Sequence, residues 1–263
     1  MGASMSNLAV NTVPFDDGCM PPRAKPPYVP PEHTGVANVA EVLAGTARLP
    51  DARQLNFLGD AKTTGTARFY FAGDLALLKQ PCVSIVGTRD VSDAGAKATE
   101  HLARKLVDAG IVVVSGLAYG VDAVAHTATL AQGGRTIAVI GTPLDRATPS
   151  ENAPVQEIIY RDHLLISPFR RGEKTHRSHF PVRNRLMAIL SDATVVMEAS
   201  DTSGTLHQAA ECTRLGRWLF IAKSVVDDSR LTWPQKFLRY DTCVVLEKVS
   251  QITDRVLKAS SSR

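Results

Sequence analysis

The chain has 263 residues, of which 44% are hydrophobic and 21% are charged, and its net charge is +4. This length is enough for one large domain or two small ones with a real core. No run of about 18 apolar residues predicts a membrane-spanning helix. The modest charge excludes a histone-like protein, so binding to a polyanion needs a local cluster of cations.

Cysteine use and the N-terminal residues indicate a cytoplasmic protein. The four cysteines form no CxxC motif, so their spacing favours reduced thiols over disulfides or a zinc site. They are Cys19, Cys82, Cys212 and Cys243. The N-terminus also lacks the charged and apolar segments of a secretory signal peptide.

The first 66 residues differ in composition from the rest. Residues 1–35 carry seven of the 15 prolines, and proline disfavours helices, so we expect a disordered or wrapping arm. Residues 36–66 are predicted to be a transitional segment with a short helix over 36–43. A core domain is predicted over 67–255, beginning with a strand over 67–72, and a frayed, serine-rich tail over 256–263.

From residue 81 onward, short β-branched runs alternate with helical stretches and glycine-rich joins. The predicted strands cover 83–86, 111–114, 136–140, 164–166, 194–198, 218–222 and 243–246. Several are apolar at consecutive positions, which indicates burial on both faces. With crossover helices over 95–109 and 121–131, the pattern predicts an extended Rossmann-like α/β fold. Its sheet is doubly wound and mostly parallel, with helices on both faces.

Small residues follow several of these strands, where a doubly wound sheet binds its ligands. Such turns offer free backbone N–H groups to anions, and an arginine fork suits phosphate oxygens. The candidate residues are Gly87, Thr88, Arg89, Ser115, Gly116, Ser203, Gly204 and Thr205, and residues 141–145 form a further turn. Together they predict a phosphate-lined groove. Asp122 and His126 lie one helical turn apart and are able to pair. The preferred interpretation is structural, namely that they fix the turn to its helix.

A basic cluster lies within the sixteen residues 170–185, where Glu173 is the one acidic residue. Its members are Arg170, Arg171, Lys174, His176, Arg177, His179, Arg183 and Arg185. Phe169 and Phe180 interleave with these charges. Cations neutralise phosphates and exposed rings stack on bases, so the cluster predicts single-stranded nucleic-acid binding. A solvated charge run, and a core role for Phe180, remain the alternatives.

The segment from Phe180 to Ala188 reads FPVRNRLMA and resembles the FPxRNRxxA signature of the DprA/Smf family. Further matches in order are Gly73–Leu75, Gly87–Arg89, the segment from Ser115 to His126, Leu144–Asp145 with Pro149 and Asn152, Glu198–Ala199, and Ser203–Gly204. The resemblance spans about 67–255. It implies an extended Rossmann fold that binds single-stranded DNA and loads the recombinase RecA in natural transformation, usually as a homodimer.

The resemblance also assigns residues to the DNA groove. The family's GxR arginine and its signature phenylalanine match Arg89 and Phe180, and a basic residue three positions earlier matches Arg177. Arg183, Asn184 and Arg185 complete the candidate binding set.

Departures from the family keep other functions open. We expect no winged helix of the kind that many members carry, and we expect residues 1–66 to be too proline-rich for a helical module. Tyr119 stands where arginine or leucine is common. One alternative is a nucleotide-binding sensor of a related phosphoribohydrolase-like superfamily, acting in phage defence or a mobile element. Gln208 occupies the position of that superfamily's catalytic glutamate, and an amide cannot act as a carboxylate base. We therefore predict no enzymatic activity, cofactor or metal. A scaffold acting through the proline arm is the third hypothesis.

Overall fold

The computed structural model describes residues 27–49 and 68–261, and these form one nine-stranded sheet with helices. The strands are β1 (Gly35–Asn38), β2 (Arg68–Gly73), β3 (Cys82–Val86), β4 (Val112–Ser115), β5 (Thr136–Val139), β6 (Leu164–Ser167), β7 (Ala193–Val196), β8 (Trp218–Ala222) and β9 (Cys243–Leu246). The helices are α1 (Val39–Leu43), α2 (Asp93–Asp108), α3 (Val121–Ala131), α4 (Ala153–Asp162), α5 (His179–Leu190), α6 (Thr205–Arg214), α7 (Lys223–Val226), α8 (Trp233–Phe237) and α9 (Ser250–Ser261). The predicted strands from 67 onward and the two predicted crossover helices agree with these bounds to within two residues.

The sheet is mostly parallel, as predicted. Its strand order is β1-β2-β6-β5-β4-β3-β7-β8-β9, and all pairs from β6 to β9 are parallel. The edge strands β1 and β2 are antiparallel. Every residue of β3 to β7 is buried, because helices cover both faces of these strands.

The chain order changes direction at the centre of the sheet. From β3 the chain moves through α2 to β4, whereas α5 returns it to β7 on the other side of β3. Right-handed crossovers in opposite directions put α2 and α3 on one face and α5 and α6 on the other. The point between β3 and β7 is therefore the topological switch point, where such a fold opens a crevice at the carboxyl ends of its strands.

The segment before the core differs from the prediction. Residues 35–38 form strand β1, and the helix begins only at Val39, so the predicted helix over 36–43 is wrong for its first residues. The Asn38 side chain accepts a hydrogen bond from Ala40 N–H at 2.8 Å and caps the helix. Pairing with β2, which the local sequence does not reveal, makes residues 35–38 extended.

The described part of the proline-rich arm wraps onto α4. The Tyr28 hydroxyl donates to the Leu144 carbonyl at 2.8 Å, and Val29 N–H donates to Glu157 Oε1 at 3.0 Å. The Tyr160 hydroxyl donates a hydrogen bond to the Val29 carbonyl at 2.9 Å. A disordered arm is therefore wrong for this part, because these polar partners hold it. Residues 1–26 lie outside the described residues.

A buried arginine joins the transitional segment to the core. Arg48 is 2% exposed and donates to the carbonyls of Leu190 and Leu78 at 2.7 and 2.6 Å. Its Nε lies 3.4 Å from Asp192 Oδ1. Residues 36–49 are thus part of the folded domain, while 50–67 lie outside the described residues.

The predicted frayed tail is helical through Ser261, so that prediction is wrong for 256–261. Ile252 and Val256 lie four residues apart, which places both on one face of α9, and both are buried. The serine-rich composition concealed this apolar stripe. Residues 262–263 lie outside the described residues.

Candidate nucleic-acid interface

A cavity of about 460 Å³ lies at the switch point, between the carboxyl ends of β3 and β7. Most of the predicted site residues line it. They are Gly87, Thr88, Arg89, Phe180, Arg183, Asn184, Ser203, Gly204 and Thr205. Ser115, Gly116, Arg177 and Arg185 do not line it. Two turns and the start of α5, all distant in sequence, thus converge because parallel strands end at the same edge.

Arg89 and Phe180 form one wall of the cavity. The Arg89 side chain is exposed, and its guanidinium carbon lies 5.7 Å from the centroid of the Phe180 ring. That ring is half-buried and lies against Gly141, where an added Cβ would be 2.8 Å from Phe180 Cδ1. Among the residues that the structure describes, Phe180 belongs to neither hydrophobic core cluster. A flat ring and a planar cation therefore stand side by side at the solvent edge.

The backbone beneath Arg89 is fixed from two sides. Thr88 N–H donates to the Glu198 carbonyl at 2.6 Å, and Val121 N–H donates to the Thr88 carbonyl at 3.1 Å. Gly120 has a φ of +72° and packs so closely against the Thr88 and Arg89 carbonyls that no Cβ fits there. These contacts hold the turn that carries Arg89 in a single position.

Arg183 forms the cavity floor. It is 6% exposed, its Nη1 donates to the Val139 carbonyl at 3.1 Å, and the same atom lies 3.8 Å from Asp122 Oδ2. Burial raises the pKa of the Asp122 carboxyl, and the Arg183 charge opposes that shift. Burial likewise lowers the pKa of Arg183. One nitrogen of the guanidinium, Nη1, is thus held by protein groups, while the phosphate contact of Arg183 stays a prediction.

Ser115 and Gly116 support this floor from inside the sheet. The Ser115 hydroxyl is fully buried and donates to the Ile85 carbonyl at 2.7 Å, which ties β4 to β3. A Cβ at Gly116 would collide with the Arg183 guanidinium. The prediction that both residues contact an anion is wrong, since each position packs against protein.

The turn before α6 closes the opposite side. The Thr205 hydroxyl donates to the Gly87 carbonyl at 3.0 Å and so joins this turn to the one after β3. The Asn184 amide donates to the Gly204 carbonyl at 3.3 Å. A Cβ at Gly204 would meet no atom within 4 Å, so this backbone faces open space at the N-terminus of α6. That position suits an anion.

The basic cluster divides into an exposed part and an internal part. Five of its side chains are exposed before α5 begins, namely Arg170, Arg171, Lys174, His176 and Arg177. Arg185 points to α6 instead, where its Nε lies 3.2 Å from Glu211 Oε1. His179 is buried and stacks on Phe169 with ring centroids 3.6 Å apart. Phe169 is therefore not an exposed ring, because His179 covers it. A phosphate contact by Arg185 stays a prediction, and it competes with the pairing to Glu211.

Asp122 and His126 do not pair. His126 Nδ1 lies 2.7 Å from Thr136 Oγ1, and burial lowers the pKa of His126 to about 3, which keeps the ring neutral. The structural role preferred for both residues agrees with this arrangement. Gln208 is also fully buried and lies beside Thr194 beneath the cavity.

Six lining residues were outside the predicted binding set, namely Val86, Ala118, Asp122, Met187, Ser200 and Gln208. A second cavity of about 600 Å³, which shares Thr88 and Ser200 with the first, was not predicted either. In that second cavity the Glu198 carboxylate accepts from Ser92 N–H and Oγ at 3.2 and 3.1 Å. Ser92 is the N-cap of α2, and its hydroxyl accepts from Gly95 N–H at 3.0 Å. In the sequence, the family match at Glu198–Ala199 was the one feature that pointed to this second cavity.

In 27–49 and 68–261, no group of three His, Cys, Asp or Glu side chains is placed to hold a metal ion. No helix within the same ranges has the length and apolar character needed to span a bilayer.

Comparison with known proteins identifies the family. The family model described as DNA recombination-mediator protein A matches residues 59–256. The DNA processing protein DprA of Streptococcus pneumoniae is 43% identical over 159 residues, which are 60% of this chain and 56% of that protein. DprA of Bacillus subtilis is 33% identical over 174 residues, 66% of this chain and 59% of that one. The chain spans about half the length of these curated relatives.

Solved structures agree with the sequence match. The X-ray structure of Streptococcus pneumoniae DprA has a TM-score of 0.69 at 32% identity, and covers 86% of this chain and 75% of its own. The structure of Helicobacter pylori DNA processing protein A, which concerns its single-stranded DNA binding mode, has a TM-score of 0.66 at 28% identity. The match covers 79% of this chain and 93% of that one. These matches favour the DNA-processing family over the nucleotide-sensor alternative. The chain therefore belongs to the DNA recombination-mediator protein A family, which confirms the resemblance to DprA/Smf proteins.

Proposed function

We propose that this chain binds single-stranded DNA in the cavity between β3 and β7, without catalysis, and acts in DNA processing. The observation that carries the proposal is the pairing of Arg89 with the Phe180 ring, 5.7 Å apart at the solvent edge of that cavity. The cation meets a phosphate while the ring stacks on a base. The open backbone at Gly204 receives a neighbouring phosphate.

The geometry favours single strands over duplexes. A base must leave its pair before it stacks on Phe180, and a single strand has no pairing energy to lose. Helix α5 is also unsuited to major-groove recognition, because most of its residues, including Arg183, are buried. Binding then depends little on base sequence.

Fluorescence polarisation tests this preference directly. A labelled single strand is expected to bind more tightly than the matched duplex in the same buffer, and a panel of free nucleotides is expected to compete poorly. Equal affinity for single strand and duplex would contradict the proposal.

Arg89 is expected to set part of the salt dependence. If all four predicted arginines met phosphates, the log–log salt slope would be about −3, at about −0.7 per contact on single strands. Because Arg183 and Arg185 are engaged inside the protein, we expect a shallower slope from the arginines. Arg89→Ala is expected to weaken binding and reduce the slope magnitude by about 0.7.

The matched control is Arg185→Ala, which removes a charge on α5 that is paired with Glu211. It is expected to leave the slope unchanged. If Arg185→Ala reduced the salt slope and Arg89→Ala left it unchanged, the phosphates would lie near Arg185 instead of Arg89, which would contradict the proposal.

A carboxylate at position 204 is expected to block the cavity without unfolding it. The site has room for either an Asp or an Asn side chain, and the φ of −60° and ψ of −17° at Gly204 are open to any L residue. Gly204→Asp places a negative charge beside the bound phosphate, which costs about 1 kcal/mol or more, whereas Gly204→Asn adds the same volume without charge. We expect the Asp variant to bind single strands about fivefold more weakly than the Asn variant. Equal binding by the two variants would exclude a phosphate at α6.

The wider role comes from the family. We propose that the chain acts in the cytoplasm as a homodimer and loads the recombinase RecA onto single strands, as the resemblance implies. The support is the match to the recombination-mediator family over residues 59–256. Sedimentation velocity of the chain alone and with the recombinase tests both partners.

A further inference from the structure

Tyr119 is a large ring exposed at the rim of the cavity. It is 46% exposed, which is unusual for a side chain of its size among the described residues. Its neighbour Ala118 lines the cavity, and its other neighbour Gly120 lies against the Thr88 and Arg89 carbonyls. Adjacent Cα atoms are about 3.8 Å apart, so Tyr119 stands beside the turn that carries Arg89.

The loop that carries Tyr119 is fastened to a neighbouring turn. The Tyr119 hydroxyl donates to Glu151 Oε2 at 2.5 Å. Next to Glu151, the Asn152 amide donates to the Leu117 and Ala118 carbonyls at 2.9 and 3.2 Å. The ring is therefore held in one orientation before any ligand arrives, which reduces the entropy lost on binding.

The electrostatic setting also suits a nucleic acid. The hydrogen bond to Glu151 raises the pKa of the Tyr119 hydroxyl above its ordinary value, so the ring stays neutral beside a phosphate backbone. Arg89, whose backbone adjoins Gly120, extends its guanidinium toward Phe180. The cation lies over the Phe180 ring, and the backbone of its turn adjoins the residue that follows Tyr119.

We propose that Tyr119 forms a second base-binding subsite, in which one nucleobase stacks on Tyr119, its neighbour stacks on Phe180, and Arg89 contacts the phosphate between them. The ligand is a nucleobase of a single strand, since every base has a π-face and the ring offers no sequence readout. This inference rests on the proposed function. If the ring served only to fasten the loop through Glu151, removing the hydroxyl would weaken binding as much as removing the ring.

Two variants separate the ring from its hydroxyl. Tyr119→Phe keeps the stacking face and loses the hydrogen bond, whereas Tyr119→Leu loses the flat face. We expect Tyr119→Phe to bind single-stranded DNA slightly more weakly than the wild type, because it loses the bond that orients the ring. We expect Tyr119→Leu to bind about 5- to 150-fold more weakly than the wild type. Both should melt like the wild type because the side chain is exposed.

The experiment is a polarisation titration of homothymidine strands of increasing length. In the wild type, affinity should rise once when the strand fills Phe180 and again when it reaches Tyr119. Tyr119→Leu should keep the first rise in affinity and lose the second. Phe180→Ala should weaken the first rise. Photo-cross-linking with 5-iodouracil at the base responsible for the second rise should label Tyr119.

The outcomes distinguish this inference from the proposed function. Unchanged binding and an unchanged length profile in Tyr119→Leu, with Phe180→Ala impaired, would overturn the second subsite and leave the first. Equal losses in the Phe and Leu variants would show that Tyr119 acts only through its hydroxyl. A wild type that binds no single strand would overturn the proposed function itself.

Discussion

Arg183→Met is expected to lower the free energy of unfolding by about 3–5 kcal/mol, because it leaves the buried Asp122 carboxylate without its cation. The methionine fills similar volume, so the loss reports the charge and its hydrogen bonds rather than a cavity. The Val139 carbonyl also loses its donor. Urea unfolding, followed by the fluorescence of the two tryptophans, measures the difference.

The loss should depend on pH in a definite direction. Burial already raises the pKa of Asp122, and removing Arg183 removes the opposing attraction. A carboxyl whose folded-state pKa lies above its unfolded value stabilises the fold in acid, and this contribution is lost as the pH rises from the unfolded toward the folded pKa. We therefore expect the deficit of Arg183→Met to shrink as the pH falls toward about 4.

Two further variants make the test specific. The double variant Arg183→Met with Asp122→Asn removes the stranded charge and should recover much of the lost stability. Arg185→Met removes a half-exposed cation two residues along α5, and should cost no more than about 1 kcal/mol. A stable Arg183→Met protein with strongly weakened single-strand binding would instead restore Arg183 as a phosphate contact.

Phe180→Ala is expected to cost about 1–3 kcal/mol of single-strand binding, or about 5- to 150-fold in affinity, while the salt slope stays nearly unchanged. Stacking involves no phosphate, so no counterion is released when the ring is removed. The half-buried ring lies over Gly141 and beside Arg89, outside both core clusters of the described residues. Polarisation titrations at several salt concentrations measure both quantities.

The control for Phe180 is Phe180→Trp, which keeps a flat ring at the same backbone position and should retain binding. Melting temperatures of both variants should stay close to the wild type. A large fall in melting temperature for Phe180→Ala, with affinity per folded molecule intact, would make the ring a core anchor for α5 and remove its stacking role.

The sequence by itself determined the fold class and which turns would meet at one edge of the sheet. Uninterrupted apolar runs such as 111–114 and 218–222 indicate strands buried on both faces, and helices on both sides supply that burial. Parallel strands end at one edge, so the turns at Gly87–Arg89 and Ser203–Thr205 were predicted to converge, and they do. These features depend on local patterns and on general rules of sheet geometry.

Only the tertiary structure decided which charges face solvent. Arg177, Arg183 and Arg185 look alike in the sequence, yet one is exposed, one is buried on Asp122 and one is paired with Glu211. The partner of a charged side chain is set by contacts between residues far apart in the chain, which periodicity does not report. The same reason explains β1, whose extended form depends on β2, and α9, whose apolar stripe is buried against the domain.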